Sequence, residues 1–237
     1  MSFVIASGCV FNNYIDRDID HLMERTKDRV LVKNQISGKV ALIYAILLGL
    51  IGLLILYFQT NLLTVIVAVI GWFFYVAVYS LWLKRKSIYG TIVGGVAGAV
   101  PPVAGYCAVT NNFDMGAVIL FFILFLWQIP HFYAISIYRV NDYKAAEIPI
   151  LPVIKNVYYT KVSMLSYIIA FTIAAIMPSV FGYTGLIYFI VALCIGLIWL
   201  ALGIQGLFIK DDMSWARSMF VFSIINITVL SVMMLVK

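Results

Sequence analysis

Eight apolar stretches, each near the length a helix needs to cross a bilayer, leave this chain few ways to fold. They run over residues 1–15, 39–58, 62–82, 88–109, 115–137, 161–179, 185–208 and 215–236. A helix needs about 20 apolar residues to cross the ~30 Å hydrocarbon core. A membrane barrel would instead show ~10-residue segments alternating apolar and polar, and runs such as AVILFFILFLW are apolar on every face. Composition agrees, with 11% of the 237 residues charged against about 25% in soluble domains. The expected fold class is all-α, a polytopic transmembrane helix bundle, read as one domain over residues 1–237. No basic segment precedes the first stretch, so it is not a secretory signal peptide. From Met1 to Ile15 a helix rises only about 22 Å, short of a full crossing.

Basic residues set the expected orientation. Arg17, Arg25, Lys27, Arg29, Lys33 and Lys39 fall in the first connection, and Lys84, Arg85 and Lys86 in the third. Arg139, Lys144, Lys155 and Lys161 fall in the fifth, and Lys210 and Arg217 in the seventh. The second, fourth and sixth connections carry no Lys or Arg, and Lys237 is the one base on the other side. The base-rich side is then cytoplasmic, the inner face of a bacterial inner membrane. The net charge of +6 follows from this bias and does not argue for nucleic acid. Cys9, Cys107 and Cys194 each sit alone in an apolar stretch, without metal-ligand spacing, and read as small buried hydrophobes.

The acids gather where the chemistry could be. In NNYIDRDID (12–20), residues four apart lie about 40° apart on a helix, so Asn12, Asp16 and Asp20 form one stripe and Asp18 points away, toward Arg17, Arg25 or solvent. An amide and two carboxylates one turn apart can hold Mg²⁺. The bases Arg25, Lys27, Arg29 and Lys33 follow, in the order a metal–diphosphate site wants. A solvated loop obeying the charge rule explains the bases but not the stripe. A second cluster, YRVNDYKAAEIPILP (138–152), holds Asp142 and Glu147, which meet only if the backbone bends; a charged helix end with a proline stop is the plain alternative. Gly90, Gly94 and Gly98 give one helix face almost no side chains, either for close packing or to make room for a flat or long ligand. Tyr79 and Lys84 stand before it. WQIPHF sets Gln128, Pro130 and His131 inside an apolar stretch, where a histidine is a functional candidate by default and a packing residue equally.

With these residues in view, the chain resembles the UbiA-type intramembrane prenyltransferases, and within them the branch that farnesylates heme. The superfamily's Asn-x-x-x-Asp-x-x-x-Asp motif is matched by Asn12, Asp16 and Asp20. The branch is marked by ASGCVFNNYIDRDID, MERTKDRVL, GGVAGAVPPVAGY, WQIPHFYAI and DYKAAEIPILPV, spread over residues 6–153. The family fold has nine helices and this sequence begins inside the second, so the first is expected to be absent from it. Two departures stand out. Ala146 occupies a position where the second motif often has an aspartate, leaving Glu147 as a partial substitute, and Lys84 lies five residues after Tyr79 instead of four.

The resemblance implies transfer of a farnesyl group from farnesyl diphosphate to a vinyl group of heme b, with water adding, to give heme O and diphosphate. Mg²⁺ is the implied cofactor, with heme b a substrate. Asp16, Asp20 and Asp142 are expected to bind Mg²⁺–diphosphate, and Asn12 to orient them. Arg25, Lys27 and Lys84 are expected to contact phosphate oxygens, with Tyr79 beside them, and His131 to contact or ligate heme. The implied partners are the two substrates, the lipid bilayer and the pathway that assembles a heme-copper terminal oxidase. Two other readings use parts of the same pattern: prenyl transfer to an aromatic quinone precursor, and a cation-coupled transporter. Transporters place their sites near the bilayer midplane, whereas these carboxylates cluster at one face.

Overall fold

A computed structural model describes residues 1–236, and Lys237 lies outside the described residues. Among them there is no strand. The helices are α1 (Ser2–Asp16), α2 (Gly38–Gln59), α3 (Leu62–Phe73, running on as a π-helix over Phe74–Leu83), α4 (Gly90–Thr110) and α5 (Met115–Tyr138). They continue with the short α6 (Val140–Ala145) and α7 (Leu151–Ile154), then α8 (Val157–Val180), α9 (Leu186–Gln205) and α10 (Asp212–Met233). Seven of these helical runs are long and apolar enough to cross a membrane. Of the eight expected crossings, only α1 falls short, as its rise foretold. This is an integral membrane protein.

The chain divides into two compact units: residues 1–113 with 141–150, and residues 114–140 with 151–237. In the first, α1 lies along α2, and α3 with its π extension packs on α4. Small residues permit the close approach: a Cβ on Gly52 would stand 2.8 Å from Val4 Cγ2, and one on Gly49 3.0 Å from Ser7 Oγ. Asn61 caps α3 by accepting from the Thr64 amide at 2.9 Å and donates to the Cys107 carbonyl of α4 at 2.8 Å. In the second unit, α5 packs on α8 and α10, and α9 on α8 and α10. Asp114, the lone acid outside the base-rich connections, accepts from the Gly116 amide at 2.9 Å as the N-cap of α5.

Large apolar side chains such as Ile43, Leu47, Leu50 and Phe58 point outward, as a lipid solvent allows. Cys107 is buried, but Cys9 and Cys194 are exposed. That corrects the expectation that all three are buried, since in a bilayer a small thiol is as well accommodated facing lipid.

Candidate active site

α1 ends at Asp16, and the chain turns over residues 17–19 before Asp20 opens a short 3₁₀ turn. The continuous stripe is therefore corrected. Asn12 and Asp16 share a helix face, whereas Asp20 reaches the interior from a separate turn. All three are buried, the two carboxylates essentially completely. What breaks the helix is tertiary. Arg85 holds Asp18 with two bonds of 2.6 and 2.7 Å and donates to the Ile15 carbonyl at 2.6 Å. Thr26 donates to the Asp20 carbonyl at 2.8 Å. Asp18 thus pairs with Arg85, not with Arg17 or Arg25, and that bond holds its carboxyl below the usual range.

Buried carboxylates need compensating charge, and each has it. Lys84 bonds Asp16, and its Nζ stands 3.4 Å from Asn12 Oδ1. Arg29 bonds Asp20 at 2.7 Å. Burial pulls the Lys84 ammonium below its ordinary value, and Asp16 opposes that shift. Ser80 lies 3.1 Å from Asn12 Oδ1, which fixes the amide. Asp16 Oδ1 makes no hydrogen bond and lies 3.5 Å from Arg85 Nη2, so a buried carboxylate oxygen keeps lone pairs for a hard cation. Among the described residues no three acidic, histidine or cysteine side chains stand close enough to form a ready-made metal cage. The set suits an ion that takes the rest of its ligands from water and phosphate.

The five-residue Tyr79–Lys84 spacing has a structural answer. Phe74–Leu83 is a π-helix, and the Lys84 amide donates to the Tyr79 carbonyl at 2.9 Å, an i→i+5 bond. The wider turn absorbs the extra residue and keeps Lys84 over Tyr79, its Nζ 5.8 Å from the ring centroid. The glycine face serves packing here: Cβ atoms on Gly94 and Gly90 would lie 3.2 Å from the Tyr79 ring and 3.3 Å from the Leu83 carbonyl oxygen.

The other expected residues divide. Asp142, on α6, belongs to the same unit as Asp16 and Asp20. The next residue, Tyr143, lies under the Arg25 guanidinium, 4.9 Å from ring centroid to Cζ. Glu147 bends away at φ 52° and is exposed. Lys27 is exposed and paired with Glu24 at 2.5 Å, so it does not join the carboxylates here. Arg29 and Arg85 take the inward roles instead. Arg29 had been read as one of the run of bases after the motif and Arg85 only as a charge-rule base, and nothing in their spacing separates them from Lys27.

In the second unit, His131 Nδ1 lies 2.7 Å from Ser223 Oγ. Ser223 donates its own proton to the Phe220 carbonyl at 2.6 Å. The network therefore assigns the proton to His131 Nδ1 and leaves Nε2 with its lone pair. The ring stacks on Trp127 at 4.7 Å and meets Phe220 at 4.9 Å. Its hydrogen bond goes to α10 and not to the carbonyl that Pro130 leaves behind, so both a packing role and a free ring nitrogen coexist. Gln128 is buried and donates to the Leu124 carbonyl at 3.1 Å.

Comparison with known proteins gives this arrangement a setting. Protoheme IX farnesyltransferase of Yersinia enterocolitica is 57% identical over 234 residues, covering 99% of this chain and 79% of that protein. Its counterpart in Photorhabdus laumondii is 55% identical over 99% of this chain and 80% of its own length. Among solved structures, a digeranylgeranylglyceryl phosphate synthase shares the fold with a TM-score of 0.81 at 21% identity, covering 98% of this chain and 80% of that one. A UbiA homologue from Archaeoglobus fulgidus bound to GPP and Mg²⁺ does so with 0.68 at 15% identity, covering 99% and 84%. The UbiA prenyltransferase family itself matches over residues 1–225, and the chain belongs to that family.

Proposed function

We propose that this chain transfers a farnesyl group from farnesyl diphosphate to a vinyl group of heme b, water completing the addition, to give heme O and diphosphate. The observation that carries this is 57% identity over 99% of the chain to a protoheme IX farnesyltransferase. The buried acid–base pairs support it. Asp16 and Asp20 are the residues to hold Mg²⁺ with the diphosphate, Asp142 supplies a further carboxylate from α6, and Asn12 orients Asp16 through Lys84. Bound Mg²⁺ supplies charge neutralisation to the departing diphosphate.

The chain's own groups do the rest. With Mg²⁺ held by the acids, Lys84 and Arg29 would be available to phosphate oxygens, and Arg25 would reach them from the loop. Tyr79 walls the site beside Lys84. As the farnesyl C1–O bond breaks, the terminal vinyl carbon bonds to C1. The carbon next to the macrocycle then takes hydroxyl from water, and a proton is released. An apolar membrane interior keeps water from quenching the allylic cation first. The base-rich face, with this site, is oriented to the cytoplasm of a bacterial inner membrane, and the product feeds assembly of a heme-copper oxidase.

Diphosphate release from farnesyl diphosphate is expected to require both heme b and Mg²⁺, to fall to background with a chelator and to return on adding Mg²⁺. Release indifferent to heme b or to chelation contradicts the reading. His131 is assigned to the heme: His131→Ala is expected to weaken heme b binding roughly tenfold while farnesyl diphosphate affinity is kept. Unchanged heme affinity with a lower melting temperature would remove His131 from the site.

A further inference from the structure

A cavity of about 330 Å³ opens in the second unit, lined by Tyr138 and Arg139 at the end of α5 and by Arg217, Phe220 and Val221 in α10. No acidic side chain lines it. Two guanidinium groups beside two aromatic rings, at the base-rich end of the helices, form a receptor for a flat apolar molecule with anionic groups on one edge. We propose that Arg139 and Arg217 bind the carboxylates of the acceptor, fixing the edge from which it enters; this rests on the acceptor being heme b.

The aromatic contacts give the orientation. Phe220 packs on Tyr138 at 5.9 Å and on His131 at 4.9 Å, so one ring joins the arginine-lined mouth to the histidine. His131 precedes Tyr138 by seven residues, roughly 10 Å along the helix. Heme b carries its two propionates on one edge and its vinyl groups on the opposite side. Propionates held at Arg139 and Arg217 keep their charge at the aqueous boundary and send the macrocycle along Phe220 toward the level of His131. The vinyl groups then point into the apolar interior, where an allylic cation survives. An acceptor held by its iron alone could rotate about the axial bond; a carboxylate anchor removes that freedom and selects which edge reacts.

The test separates the carboxylates from the macrocycle. Heme b and its dimethyl ester, which has the same ring and no carboxylate charge, are titrated by absorbance into the purified protein and into Arg217→Gln, Arg139→Gln and the double variant. Arg217→Gln is expected to weaken heme b on the order of tenfold, to leave the ester unchanged, and to leave farnesyl diphosphate affinity unchanged. In the double variant the two hemes should bind alike. An unchanged preference for heme b over its ester in the double variant overturns the proposal. So does a variant that keeps heme b affinity but loses bound anionic phospholipid, which would assign the arginines to a lipid phosphate. A wild-type protein that binds no heme b contradicts the acceptor itself, whereas bound heme b without a carboxylate preference contradicts only the arginine site.

Discussion

Asp16→Asn is expected to lower turnover by roughly 10²–10³-fold while the protein still inserts and folds. The substitution keeps the shape and can still accept from Lys84, but it removes, at a fully buried position, the charge proposed to hold the Mg²⁺–diphosphate complex. It also leaves the Lys84 ammonium, already strained by burial, facing a neutral amide. Asp18→Asn is the control, two residues away. Asp18 is largely exposed, and Arg85 keeps its bond to the Ile15 carbonyl without it. Turnover should change by no more than a few-fold, as for an exposed ion pair. Equal losses from the two would mean that the acidity of the segment acts as a whole and that the buried position of Asp16 carries no special role.

Lys161→Met is expected to destabilise the second unit by about 2 kcal/mol, seen as a melting temperature in detergent lower by about 5 °C. Lys161 is buried, one turn into α8, with Nζ 2.6 Å from the Gly206 carbonyl and 2.5 Å from Asp212 Oδ1. It also sits 4.9 Å from the centroid of the Trp215 ring. It thus satisfies the C-terminal end of α9 and ties it to the start of α10. Methionine fills the space but leaves the carbonyl without its donor. Asp212 is partly exposed and can turn to water, which holds the loss below the roughly 3–5 kcal/mol of a broken, fully buried pair. Lys210→Met, at an exposed neighbour, should not move the melting temperature. A Lys161→Met protein that melts with the wild type would contradict the structural role.

The helices were legible because a bilayer demands long apolar runs, and little else in a sequence makes them. The motif acids were legible because carboxylates are rare in such a chain. Their company was not. Nothing local tells Arg29, which reaches Asp20, from Lys27, which pairs with Glu24; the choice is made by the turn after α1 and by Arg85 arriving from the end of the π-helix. The same holds for Lys161, which counts as a loop base by charge and is a buried strut by packing. The Tyr79–Lys84 spacing looked loosened only on the assumption of an α-helix, and the i→i+5 bond restores the alignment. The arginine pair at 139 and 217 is separated by four helices in sequence and meets only in the fold.

The central claim, heme farnesylation, is tested most directly by the product. Purified protein is incubated with heme b, farnesyl diphosphate and Mg²⁺, and the porphyrin products are identified by mass, with an aromatic quinone precursor offered in a parallel reaction. The account predicts a product equal to heme b plus one farnesyl group and one hydroxyl, formed only when both substrates are present. Heme b recovered unchanged while the aromatic acceptor is prenylated would contradict it.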